Sequence, residues 1–337
     1  MSYDHVIRAA GRSPWAILPE KAEEMAALLT LLAAGGEVPV AVREQLAAER
    51  QARVVAAQDA ADGAAGGSVA VLPLYGLISQ RANLMNEMSG PGGTSVQKFT
   101  TAFRQALADP SVAAIVLDVD SPGGNVFGVA ELADEIRAAR ARKPIVAVAN
   151  STMASAAYWV ASAASEISVT PGGQVGSIGV LALHVDESAR NEMEGLRPTL
   201  VTAGRYKGEA SPDFPLTDEA RASVQDMVDS YYASFVDAVA ASRGVSAAAV
   251  RAGYGEGRML MARPALRAGM VDRIETLDQA IARMMRPQGR GALTRRGAGA
   301  TAEETADGSE APPPASPSQS DPEPGGDVEA RMRRLRY

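Results

Sequence analysis

Ser155 lies in Met153-Ala154-Ser155-Ala156-Ala157-Tyr158-Trp159, a serine among small residues that ends a strand-like apolar run and opens a helix-like one. A sharp strand-to-helix turn of this kind presents a hydroxyl as a nucleophile and offers the next backbone N–H, that of Ala156, to an oxyanion. Two more segments bear on the same chemistry. Ser121-Pro122-Gly123-Gly124 follows the apolar stretch 112–119. Its glycines allow close backbone approach and can turn a second N–H inward, with Gly124 favoured over Gly123. Tyr206-Lys207-Gly208 supplies an amine. A serine hydroxyl attacks only when a base takes its proton. A lysine can do so only when its pKa falls well below the ~10.4 of the free side chain, through desolvation or nearby positive charge. The other central lysines, Lys98 and Lys143, fall on an early helix and at a helix end before Pro144. The rival base is His184, which could form a triad with Ser155 and one of Asp118, Asp120 or Asp186. Against these readings stand plainer ones: a small residue chosen for helix packing, a tight turn, an exposed loop lysine.

The elements that must position these groups alternate between strand and helix signals. Strands are expected at 69–78, 113–119, 145–149, 167–169, 177–185 and 198–202. Helices are expected at 96–108, 127–142, from Ser155 onward, and at 217–242, 261–268 and 277–285. Thr217, Asp218 and Glu219 form a cap and acidic first turn. The alternation means an α/β fold, and the pattern alone leaves open a doubly wound sheet or a spiral of strand-strand-helix units. Three regions are expected: residues 1–66 as a helical accessory region and linker, 67–285 as the catalytic domain, and 286–337 as a disordered tail rich in Pro, Gly, Ser and Glu. In the first, Pro19-Glu20 signals a helix start, a second helix is expected at 40–57, and 59–67 reads as a linker.

Composition narrows the function. An apolar content of 46% suffices for a sizeable core, and an aromatic content of 4% makes that core one of Ala, Val, Leu and Ile. The absence of cysteine excludes disulfides, thiolate catalysis and a zinc ribbon, and His5 and His184 are too few for a histidine-rich metal centre. No metal and no cofactor is therefore expected. The net charge of −7 argues against a nucleic-acid partner. The best N-terminal apolar run, 26–34, is too short to span a bilayer, so a soluble cytoplasmic protein without a membrane anchor is expected.

The order SPGG, MASAAYW, VGSIGV and RYKGEASP resembles the signal-peptide-peptidase-A family of serine peptidases, over residues 69–285, and within it the phage head-maturation (prohead) proteases. The resemblance implies the crotonase-like, Clp-protease-like spiral and a Ser-Lys dyad of Ser155 and Lys207. It also implies that Ser177 hydrogen-bonds and positions the lysine, and that His184 is not the base. Many family members have glycines where this chain has Ala156 and Ala157. The implied partners are a peptide or protein substrate, namely capsid or scaffold protein, and further copies of the chain in a homo-oligomer. A strand edge at Leu72, Leu74, Leu77 and Ile78 is expected to receive the extended peptide. The alternatives are a housekeeping peptidase of released signal peptides and a catalytically silent capsid scaffold.

Overall fold

The apolar runs at 69–75, 114–121 and 145–154 lie side by side as parallel strands in a computed structural model that describes residues 14–24, 27, 48, 69–81 and 93–286. All of these belong to one compact unit. The expected helix at 40–57, apart from Ala48, which is helical, the linker at 59–67 and the tail beyond 286 lie outside the described residues.

In chain order the strands are β1 (Trp15–Ile17), β2 (Val69–Tyr75), β3 (Ile78–Ser79), β4 (Thr94–Ser95), β5 (Ala114–Ser121), β6 (Gly123–Asn125), β7 (Ile145–Ala154), β8 (Glu166–Val169), β9 (Gln174–Gly176), β10 (Met259–Met261) and β11 (Arg273–Ile274). The helices are α1 (Val96–Ala108), α2 (Val129–Ala139), α3 (Ala156–Ser162), α4 (Ser188–Met193), α5 (Asp218–Arg243), α6 (Ala247–Gly253), α7 (Ala262–Arg267) and α8 (Leu277–Met285). Seven strands form the large sheet, in the order β10-β9-β7-β5-β2, with β8 on β7 and β11 on β8. Four form the small sheet, in the order β1-β6-β3-β4. Twice a strand of the large sheet runs directly into one of the small sheet and then into a helix: β2 to β3, β4 and α1, and β5 to β6 and α2. This is the α/β spiral of strand-strand-helix units.

The central strands are apolar along their whole length because both faces are covered. Ile115, Leu117, Val119, Ala147 and Ala149 point into the main core with α1, α2, α3 and α5. Val116, Val146 and Val148 point the other way, onto Ala280 and Met284 of α8. Helices begin where capping residues dictate. The Thr217 hydroxyl accepts from the Ala220 N–H, and Thr276 and Gln279 form a reciprocal capping box at α8.

Two expected strands are absent. Residues 177–185 contribute a single bridge, at Leu181, and residues 198–202 pair with nothing. Both stretches have apolar alternation, but Leu183, Leu200 and Val201 are exposed, so no second surface rewards pairing. The expected peptide edge is kept only in part. Strand β2, with Leu72 and Leu74, ends the large sheet, whereas β3, with Ile78, is interior to the small sheet between β6 and β4, and Leu74, Leu77 and Ile78 are buried. The edge of β6 is taken by β1, so the N-terminal region supplies a strand beside the SPGG turn.

Candidate active site

Ser155 is the residue at which β7 turns into α3. Its φ of 53° and ψ of −117° lie outside the regions open to ordinary side chains, a conformation that costs about 1–3 kcal/mol. The surroundings hold it there. Its N–H donates to the Gly176 carbonyl at 2.7 Å, and its own carbonyl accepts from the Trp159 N–H at 2.9 Å. Behind it α3 is wholly buried. Trp159 stacks on Phe235 of α5 with centroids 4.6 Å apart, and the Tyr158 hydroxyl donates to the Met270 carbonyl at 2.9 Å. The far end of α3 is held by Arg140, whose guanidinium donates to the carbonyls of Ala163 (2.6 Å), Ser162 (3.1 Å) and Ser242 (3.3 Å). Burial pushes the Arg140 pKa down to about 10, which still leaves a full charge at neutral pH against the carbonyls at the helix's C-terminal end.

The SPGG turn lies against this serine. Gly123 has a φ of +96°, and a Cβ built on it would lie 3.0 Å from the Ser155 Cβ and 2.2 Å from the Ala16 carbonyl oxygen, so only glycine fits. Its N–H donates to the Ser121 hydroxyl at 3.1 Å, and that hydroxyl donates to the Gly76 carbonyl at 2.6 Å. Ser121 thus ties the turn to the end of β2, a positioning role that the sequence reading did not assign to it. Gly124 pairs with Ala16 on one side and Ile78 on the other. The Ala156 N–H makes no hydrogen bond among the described residues, as expected at a helix start. Ser177 follows directly on the Gly176 that binds Ser155. It has a φ of 54° and is held by its N–H to the Arg258 carbonyl at 3.0 Å.

Ser155, Ala156, Ser177 and the two glycines therefore converge within one chain. Lys207 is exposed, in a turn of residues 203–210, and no hydrogen bond links it to Ser155 or Ser177 among the described residues. The Ser155 hydroxyl donates instead to the Gly179 carbonyl at 3.3 Å. Nor does a histidine triad form. The His184 Nε2 is buried without a hydrogen-bond partner among the described residues. Asp118 is hydrogen-bonded by the Tyr75 hydroxyl, and burial raises its pKa above the usual carboxylate range. Hydrogen bonds from the Ser188 side chain and, secondly, from its N–H at 2.9 Å lower the Asp186 pKa. Among the described residues no group of three His, Asp or Glu side chains converges as a metal site would, and no helix is long and apolar enough to cross a membrane.

A serine held in strain at a strand-to-helix turn, beside an N–H with no hydrogen bond among the described residues and against a glycine turn, has the geometry that a nucleophile and an oxyanion site require. Sequence comparison points the same way. Residues 137–290 match the profile of peptidase family S49. The matched stretch includes Ser155, Ser177 and Lys207 and begins after the SPGG turn. Capsid assembly protease C of Escherichia phage lambda is 34% identical over 63% of this chain and 48% of its own length. Head-tail preconnector protein GP5 of Enterobacteria phage P21 is 33% identical over 64% and 42%, respectively. Protease 4 of Salmonella typhi is 29% identical over 65% and 34%. The chain thus spans less than half the length of each of these three relatives. A solved membrane protease specific for a stomatin homolog from Pyrococcus horikoshii aligns over 64% of this chain and 77% of its own. At 15% identity and a TM-score of 0.38, that likeness is too slight to argue from.

Proposed function

We propose that this chain is a serine endopeptidase in which Ser155 attacks a peptide carbonyl and Lys207 acts as the general base. The observation that carries the reading is the Ser155 turn: strained, buried, flanked by the unpaired Ala156 N–H and abutted by Gly123. Ala156 and Gly124 are the proposed oxyanion donors. In the first step the amine of Lys207 takes the hydroxyl proton as Oγ bonds to the carbonyl carbon, and the negative oxygen is received by the two N–H groups. The protonated amine then gives its proton to the leaving nitrogen, and water repeats the sequence on the acyl-enzyme.

The exposure of Lys207 supports a homo-oligomer as the active form. Most of the large apolar side chains exposed among the described residues lie between 183 and 214, among them Leu183, Met193, Leu196, Leu200, Val201 and Tyr206. An exposed apolar face of this kind marks an association surface. Covering it with a second copy would desolvate Lys207 and bring it to a serine; Ser177 is the hydroxyl proposed to orient it. The phage relatives support capsid or scaffold protein as the substrate class, cleaved in the host cytoplasm during head assembly. We further propose that residues 67–285 form the peptidase domain, with 1–66 and 286–337 as appendages.

The test is co-expression with the capsid proteins of the phage or prophage that encodes the chain, followed by mass spectrometry of the products. Shortened capsid or scaffold chains with the wild type, and full-length ones with Ser155→Ala, are expected. Full-length products in both would remove the proposal and favour a silent scaffold.

A further inference from the structure

Strand β1 has hydrogen bonds on both edges. Toward β6, the Leu18 N–H donates to the Pro122 carbonyl at 2.9 Å and the Val126 N–H to the Pro14 carbonyl at 3.4 Å. In an antiparallel ladder these bonded pairs recur at every second residue, so Ala16 and Gly124, midway between them and in register, exchange their own N–H and carbonyl bonds. Toward the other side, the Trp15 N–H and carbonyl bond to the Leu181 carbonyl and N–H, both at 2.8 Å. An extended segment clasped between a strand edge, that of β6, and the bridging residue Leu181, with its side chains buried, matches the binding mode of a peptide added to a sheet.

Its position is the telling feature. The Ala16 carbonyl oxygen and the Ser155 Cβ border the same methyl-sized volume over Gly123, and the Gly124 N–H, a proposed oxyanion donor, is engaged by Ala16. Trp15, Ala16 and Ile17 are 7%, 0% and 3% exposed, and Ser155 beneath them is 0% exposed. The segment stands apart from the strand-strand-helix units and is separated from β2 by residues 18–68. The spiral does not require it.

We propose that the groove between β6 and Leu181 is the peptide-binding cleft of this peptidase, and that the chain's own Pro14–Leu18 segment occupies it as a resident inhibitor. The proposal rests on the peptidase reading above and adds the substrate class: an extended segment with a small residue at the Ala16 position between two large apolar ones. As a tethered occupant, the segment competes with free peptide at an effective concentration on the order of millimolar. Substrate therefore enters only when the segment is displaced or when assembly delivers substrate at comparable local concentration.

Peptide binding tests this without relying on turnover. The probe is a fluorescent synthetic peptide, Ser-Pro-Trp-Ala-Ile-Leu-Pro-Glu, titrated onto the full chain in a Ser155→Ala background. With Ala16→Glu, whose side chain cannot be accommodated at a fully buried position, the peptide is expected to bind at least about tenfold tighter than without it. Equal affinity would overturn the proposal. Because the natural chain has no cysteine, Trp15→Cys with Leu181→Cys gives a reversible lock across a pair of suitable geometry. The oxidised lock should bind no peptide and the reduced form should bind it. Binding to the oxidised form as tight as to the reduced form contradicts the proposal, and this comparison of one chain with itself does not depend on how Ala16→Glu folds. The same lock with Ser155 retained separates the two readings: a reduced protein that binds peptide but whose Ser155 does not react with a fluorophosphonate would count against the peptidase and leave the cleft standing.

Discussion

The serine half of the proposed dyad and the lysine half are built to different standards. From 121 to 179 the chain is mostly buried. Ser155 is fixed by main-chain bonds on both sides, the helix behind it is packed on all faces, and a half-buried arginine holds the far end of that helix. From 180 to 210 the chain is mostly exposed, forms one short helix and presents apolar side chains to solvent. A nucleophile in strain must be over-determined by its surroundings, because about 1–3 kcal/mol would otherwise be released by relaxing the turn. A lysine base needs only to be desolvated at the moment of reaction, which a partner can do. On the proposed reading, the molecule stores its strained element permanently and leaves completion of the site to assembly. A hydroxyl that donates to the Gly179 carbonyl rather than to a base fits such a resting state.

The sharpest contrast is expected from Ser155→Ala. Peptide turnover should fall by about 10⁴-fold or more, as when other serine peptidases lose their nucleophile, while the protein remains folded and assembled. Turnover within tenfold of wild type would assign the chemistry to another residue.

Next in size is the packing behind the nucleophile. Trp159→Ala should cost about 3–5 kcal/mol in denaturant unfolding, because it empties a space stacked against Phe235. Trp159→Phe should cost much less, since the indole N–H has no hydrogen-bond partner among the described residues. Comparable losses for the two would mean that an unseen partner holds the indole.

In the exposed half the sign reverses. Val201→Asp should change unfolding free energy by less than about 0.5 kcal/mol, because Val201 is 91% exposed. It should nevertheless dissociate the oligomer in sedimentation and lower turnover with it. An assembled, active Val201→Asp protein would mean that this face is not the interface.

What the sequence disclosed follows the same division. Helices α1 and α8 begin and end at the expected residues, and β5 and β7 fall where the apolar runs put them, because caps and burial act locally and agree with the tertiary fold. Strand β6 was not legible, since Gly-Gly-Asn has no strand propensity and pairs only because its neighbours present free edges. The same holds for β1. Its three residues become a strand through contact with Gly124 and Leu181, over a hundred positions away in each case. Residues 177–185 and 198–202 misled in the opposite direction, by carrying strand-like alternation that pairs only at the Leu181 bridge in the first and nowhere in the second. The residue types of the site were legible from motif order. Their three-dimensional relation was not, and the contrast between an exposed Lys207 and a fully buried Ser155 is visible only in the folded chain.

The most direct test compares Lys207→Ala with His184→Ala in peptide turnover by the assembled protein, with folding checked by circular dichroism. The account predicts that Lys207→Ala loses turnover as completely as Ser155→Ala, while His184→Ala keeps it within about tenfold of wild type. A Lys207→Ala protein that turns over at the wild-type rate, with His184→Ala inactive, would contradict the Ser-Lys mechanism.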